Sequence, residues 1–172
     1  MGNEQNSLKQ EAEWLRVCLE HGFVNRRDVI AWAERQLEVS DNPDPNVSDV
    51  ALAVETPLQD LIHLLGAFPG KADQTEIARQ LLAEVARRIR TEADLLARVP
   101  RILAMLVSDD EEFNMEMAAH ARRFENDLEL VEHAGTSADD LRRRVLAFLD
   151  AESAPPNKPL KLTVGRGRPP AA

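Results

Sequence analysis

Cys18 and His21 stand three residues apart, so on a helix the imidazole reaches the thiol, the arrangement that turns a cysteine into a nucleophile. No third group is visible to orient that imidazole. The plainer reading makes Cys18 a small core hydrophobe and His21 a helix-end residue favoured by the dipole. Metal chemistry has two further candidates, Glu116 with His120 and Glu129 with His133. Helical di-iron centres take Glu-x-x-His pairs from facing helices, and here each spacing is one residue too long. Four residues still share a helix face, so solvated acid–base neighbours are the ordinary outcome.

Carboxylates offer the next possibility. Asp41, Asp44 and Asp49 lie in a loop that invites calcium, but the Asp-x-Asn-x-Asp-Gly ladder is missing and prolines occupy positions that would have to supply ligands. Asp109, Asp110, Glu111 and Glu112 resemble the clusters that hold magnesium for phosphoryl or diphosphate chemistry. Phe113 stands where an aspartate-rich DDxxD motif needs its last acid. A solvated helix start, where the dipole and free N–H groups tolerate negative charge, is the default reading of that run. There is no HExxH, no CxxC and no phosphate-cradling glycine loop. The residues therefore predict no catalytic group, no metal ligand set and no cofactor.

What remains is charge, and it is unevenly placed. Residues 1–154 carry 30 Asp and Glu against 17 Lys and Arg, while residues 155–172 carry Lys158, Lys161, Arg166 and Arg168 and no acid. Within the body, residues 40–76 hold seven acids against one base and residues 109–135 hold nine against two. Between them, residues 77–108 reverse sign with six arginines against three acids. Such asymmetry bears on solubility, encounter and choice of partner rather than on fold. The six are Arg79, Arg87, Arg88, Arg90, Arg98 and Arg101, and they raise the question of nucleic acid. The acidic body opposes a polyanion and no recognition helix stands out, so no specific nucleic-acid binding is expected. These arginines are expected to pair with the neighbouring acidic blocks, within the fold or across a subunit contact, which keeps a homodimer open.

The elements that position these groups are helices. Aromatic residues are 4% of the chain with no Tyr, and hydrophobic residues are 44%, so the core is built from Leu, Ala, Val and Ile. Leu8, Ala12, Leu15 and Leu19 share one face of a helix over 8–21 that stops at Gly22. Asn25 caps a second helix over 26–39, expected to form a hairpin with the first. The Ser40–Asn46 breaker cluster precedes a short segment over 47–54 capped by Ser48. Thr56, Pro57 and Gln59 predict a capping box for a helix to Gly66 whose five apolar residues, Leu58 to Leu65, mark it as the central buried element. Asp73 with Glu76 opens an amphipathic helix to about Ile89. Pro100 either kinks the next stretch, 95–107, or opens a second helix in it. A long helix follows the Asp109–Glu112 run and ends at Gly135, and Ser137 caps the last one. The expected fold is all-α, a single domain of seven or eight helices over residues 8–152, arranged as successive helical hairpins in a bundle or solenoid-like array. Residues 1–7 are expected to be a flexible N-terminus and residues 153–172 a disordered, basic, Pro-rich tail.

No run approaches the roughly 18 apolar residues of a membrane span, and the N-terminal residues lack an apolar h-region. Asn6 stands where a myristoylation signal needs Ser or Thr. The single cysteine suits a reducing compartment. A soluble cytoplasmic protein with no membrane partner is expected.

The stretch Gly22–Gln36, with Asp49–Ala53 and Asp60–Leu65 after the Pro43 and Pro45 loop, resembles a loose set of small helical bacterial proteins, some of them immunity proteins encoded beside polymorphic toxins. It covers about the first third of the chain and carries over no catalytic residue. Residues 155–172 look similar to repeat-derived extensions of bacterial reading frames. The resemblance implies a non-enzymatic interaction module whose partner is a protein, a basic toxin domain being the suitable target. Charge then selects Asp41, Asp44 and Asp49 in one block and Asp109, Asp110, Glu111, Glu112 and Glu116 in the other as partner-binding residues. The competing classes are a helical metal-dependent hydrolase of a phosphorylated substrate, using the second block with Glu125 or acids of the first, and a helical adaptor or regulator.

Overall fold

The computed structural model describes residues 2–135 and 137–153, with the side chains from Asn6 onward. The expected disordered tail lies outside the described residues apart from Ser153. Eight α-helices carry the described chain: α1 (Gly2–Glu20), α2 (Arg26–Val39), α3 (Pro45–Leu52), α4 (Leu58–Gly66), α5 (Gln74–Ile89), α6 (Val99–Met105), α7 (Glu111–Ala134) and α8 (Ala138–Glu152). A 3-10 helix over Ala93–Arg98 leads into α6, and no strand occurs among the described residues. The fold is all-α.

The chain gathers into two compact units that divide between Ala72 and Asp73. In the first, α1 buries Ala12, Leu15 and Leu19. It begins at Gly2, six residues ahead of Leu8, so residues 2–7 are helical. Lys9 fixes the early turns by donating from Nζ to the carbonyl of Gly66 at 2.9 Å, one of the carbonyls that the end of α4 leaves open. Gly22, at φ 71°, closes α1 with Phe23 N–H donating to Cys18 O at 2.7 Å, the six-to-one bond of a Schellman motif. Asn25 then caps α2: its side chain accepts from Asp28 N–H while the Asp28 carboxylate accepts from Asn25 N–H.

The backbone of α1 lies beside that of α4, and α2 lies beside α3, while α1 and α2, joined by their short turn, meet through side chains of Glu11, Trp32 and Gln36. The Trp32 indole is buried, tilts against Phe68 at 5.7 Å between centroids, and donates Nε1–H to Glu11 at 2.9 Å. Three starts and faces differ from expectation. Asp44 rather than Ser48 caps α3, with Pro45 in the first turn, where the missing N–H costs nothing. Pro57 itself occupies the cap position of α4 and no side chain caps it, so the Thr56 capping box does not form. Finally, α4 buries only Leu61, Ile62 and Leu65, and Leu58 is exposed.

The second unit is built on α5, capped by Asp73 through Glu76 N–H. It buries Ile77, Ala78, Leu81, Leu82, Val85, Ala86 and Ile89, the wide apolar stripe that α4 lacks. Pro100 sits in the first turn of α6, which settles the alternative in favour of a new helix. The helix α6 packs on α7, and α8 returns to pack on α5 and more lightly on α7. Gly135, at φ 71°, ends α7 in the left-handed conformation, and Ser137 caps α8 through Asp140 N–H.

Candidate protein-interaction surface

The first acidic block belongs to the first unit. Asp41 is exposed in the α2–α3 loop and Asp49 is exposed on α3. Asp44 differs: it is half-buried, and its Oδ1 accepts from Asn46 N–H at 2.9 Å and from Asn46 Nδ2 at 2.7 Å. Asp44 thus organises a helix start, with Asp41 and Asp49 presented on either side of it in sequence. Neither of those two forms an ion pair among the described residues.

The second block belongs to the second unit and stands on a rigid start. Ser108 N–H donates to Asn114 Oδ1 at 2.9 Å and Asn114 Nδ2 donates back to Ser108 O at 3.0 Å. Ser108 Oγ donates to Asp110 O and accepts from Asp110 N–H. Asp110 Oδ1 accepts from Glu112 N–H at 3.0 Å and Phe113 N–H at 3.2 Å, which makes it the cap of α7. Glu111, Glu112 and Glu116 extend from the first turns, exposed and without an ion pair among the described residues. Glu112 and Glu116 share a face at a four-residue spacing, where like charges repel by a few tenths of a kcal/mol. Asp109 is exposed beside them.

Three of the six arginines between the blocks, Arg87, Arg88 and Arg90, make ion pairs with acids outside both blocks. Arg87 grips Glu84 with two hydrogen bonds at 2.6 and 2.7 Å, and Arg88 Nε reaches the same carboxylate at 2.7 Å. Burial alone would push the Glu84 carboxyl up, and the hydrogen bonds and charges of Arg87 and Arg88 outweigh it and hold it below the usual glutamate range. Arg90 Nη2 donates to both carboxylate oxygens of Asp150 on α8, at 2.8 and 2.7 Å. These partners are acids of the arginine stretch itself or of α8. Within the second block Asp127 is paired, with Arg144 of α8 at 2.8 Å.

The chemical candidates are placed otherwise. Cys18 and His21 are both buried, the imidazole stacked near Phe23 at 6.1 Å. His120 lies against Phe148 at 4.0 Å and Phe124 at 5.7 Å, with its Nδ1 buried and unpartnered among the described residues. It fills the seam between α7 and α8. His133 is exposed at the end of α7. No three His, Cys, Asp or Glu side chains converge to hold a metal among the described residues.

Sequence reasoning missed Glu11, which accepts from both Trp32 Nε1 and Gln36 Nε2, and Arg142, which donates to Ile89 O at 2.6 Å and closes the end of α5. Both are polar side chains with partners more than twenty residues away, and no local pattern announces them. It also missed an exposed apolar group at the α3–α4 turn, Leu52, Val54 and Leu58. No helix among the described residues is long and apolar enough to cross a membrane. No family model matches this sequence, and the comparisons with curated proteins and with solved structures found no match either.

Proposed function

We propose that this chain is a non-enzymatic, cytoplasmic protein-interaction module that takes a basic protein partner on its acidic surface, in the manner of an immunity protein covering a toxin domain. The observation that carries this reading is the division among the carboxylates. Asp44 and Asp110 are engaged as helix caps, whereas Asp41, Asp49, Glu111, Glu112 and Glu116 are exposed and unpaired among the described residues, and Arg87 and Arg90 pair with Glu84 and Asp150, outside both blocks. Unneutralised carboxylates steer a basic surface, and those on the first turns of α7 lose little entropy on contact, since the helix beneath them is already ordered.

The test is kinetic. The partner, captured from the native cytoplasm on the full chain, is re-purified and its association rate measured across a salt series. The wild-type rate is expected to fall by about tenfold or more from low to moderate salt, the range of electrostatic steering. A variant combining Asp41→Asn, Asp49→Asn, Glu111→Gln, Glu112→Gln and Glu116→Gln should associate slowly and with a flat salt response. An unchanged rate and slope in that variant would remove the acidic blocks from the mechanism.

A further inference from the structure

We infer that the α3–α4 turn, residues 49–60, is the apolar anchor of this surface, and that its occupant is an amphipathic helix of a protein partner whose apolar stripe is bordered by lysine and arginine. The inference rests on the proposed reading and adds to it a place and a chemistry. Leu52, Val54 and Leu58 are 81%, 56% and 48% exposed, three large apolar side chains within seven consecutive residues. Isolated exposed apolar residues are ordinary on a soluble protein, but a group of them rimmed by charge marks a contact surface.

Their exposure does not come from a loose core. Val50, Ala53 and Leu61, interleaved with them in sequence, are buried, so the interior beneath the turn is filled and the other three side chains face away from it. The backbone between them is held. Ala53 N–H donates to Val50 O at 3.1 Å, Thr56 N–H to Ala53 O at 3.3 Å, and Leu61 N–H to Pro57 O at 3.1 Å. Arg26, at the start of α2, donates from Nη1 to Val54 O at 2.9 Å and ties the turn to the helix below. A fixed display of this kind loses little freedom on binding.

The rim selects the occupant. Asp49, Glu55 and Asp60 are exposed, the stretch from 49 to 60 contains no Lys or Arg, and the Arg26 guanidinium at Val54 leaves these three carboxylates in excess. An apolar centre bordered by carboxylates is complementary to a helix with leucine-like anchors flanked by cations. It is a poor match for a second copy of this chain, because a two-fold contact would set the carboxylate rims against each other.

The probe is a labelled helical peptide of about 18 residues, five turns, made of Leu and Lys at amphipathic spacing. Its companion keeps every Lys and replaces Leu by Ser. The full chain should bind the Leu/Lys peptide, with backbone amide shifts concentrated at residues 49–60, and bind the Lys/Ser peptide far more weakly. Leu52→Ser with Leu58→Ser should weaken the first by about tenfold and leave the thermal midpoint unchanged, since both side chains are exposed. Equal binding by the serine variant, or shifts away from the turn, would overturn the anchor while leaving the charge-based reading standing. Equal binding of the two peptides would do the same. Binding of neither would sink both. Sedimentation of the chain alone closes the remaining route: a dimer that the serine variant converts to monomer would mean that a second copy covers this face.

Discussion

Asp110 and Glu111 are adjacent carboxylates with different duties. Asp110 accepts two backbone N–H groups at the start of α7, and Glu111 accepts none of the described hydrogen bonds. Asp110→Ala should therefore destabilise the fold by about 1 kcal/mol in chemical denaturation, the usual loss of a helix cap. Glu111→Gln should stay within about 0.5 kcal/mol of wild type. If the two substitutions cost the same, the separation of capping from presenting carboxylates is wrong. Glu84 gives a second residue-scale expectation. Its folded-state carboxyl is held below the unfolded value, so its contribution is fully present above the unfolded pKa, about 4.3 for glutamate. It is lost as pH falls through the lower folded value. Glu84→Gln should thus cost about 0.5 to 1 kcal/mol near neutrality, a modest figure because the cluster is part-exposed, and the gap to wild type should close in the acid range. A gap that persists unchanged to pH 3 would assign the effect to packing instead.

At the scale of the elements, α4 is the instructive case. Its five apolar residues suggested burial all round, yet Leu61 and Leu65 are fully buried while Leu58 is about half exposed. Leu61→Ala should lose about 2 to 5 kcal/mol and Leu58→Ala less than about 0.5. Comparable losses at both positions would restore the central helix that the sequence suggested. The helix starts at Asn25, Asp73 and Ser137 and the stop at Gly135 were legible because a cap and its N–H partner lie within three residues of each other. The first turns of α1 were not, because Lys9 is fixed by a carbonyl 57 residues away. The same limit applies to the candidate surface. Charge marked both blocks, but whether a given carboxylate caps a helix or faces solvent depends on where the helix begins, and α3 begins at Asp44–Pro45 inside a stretch that reads as a breaker. Leu58 looked like core for a related reason: composition records how apolar a segment is and not how many neighbours it has.

At the scale of the whole molecule, the acidic excess should weaken the fold. The chain has a formal net charge of −9, and the body without its basic last 18 residues is more acidic still. Self-repulsion destabilises a compact state of high net charge, and mobile ions relieve it. Exposed carboxylates that lack cationic partners should therefore appear as a stability that rises with salt. The variant Asp41→Asn, Asp49→Asn, Glu116→Gln isolates this effect, because none of the three is a cap and none is paired among the described residues. At a few tenths of a kcal/mol each, removing the three charges should raise the melting temperature by about 1 to 3 °C at low ionic strength. The advantage should shrink toward zero once the screening length falls to about 3 Å near 1 M salt. A variant that melts below wild type at every salt concentration would mean that these carboxylates hold stabilising partners after all, and the surface offered to a basic protein would have to be sought elsewhere on the chain.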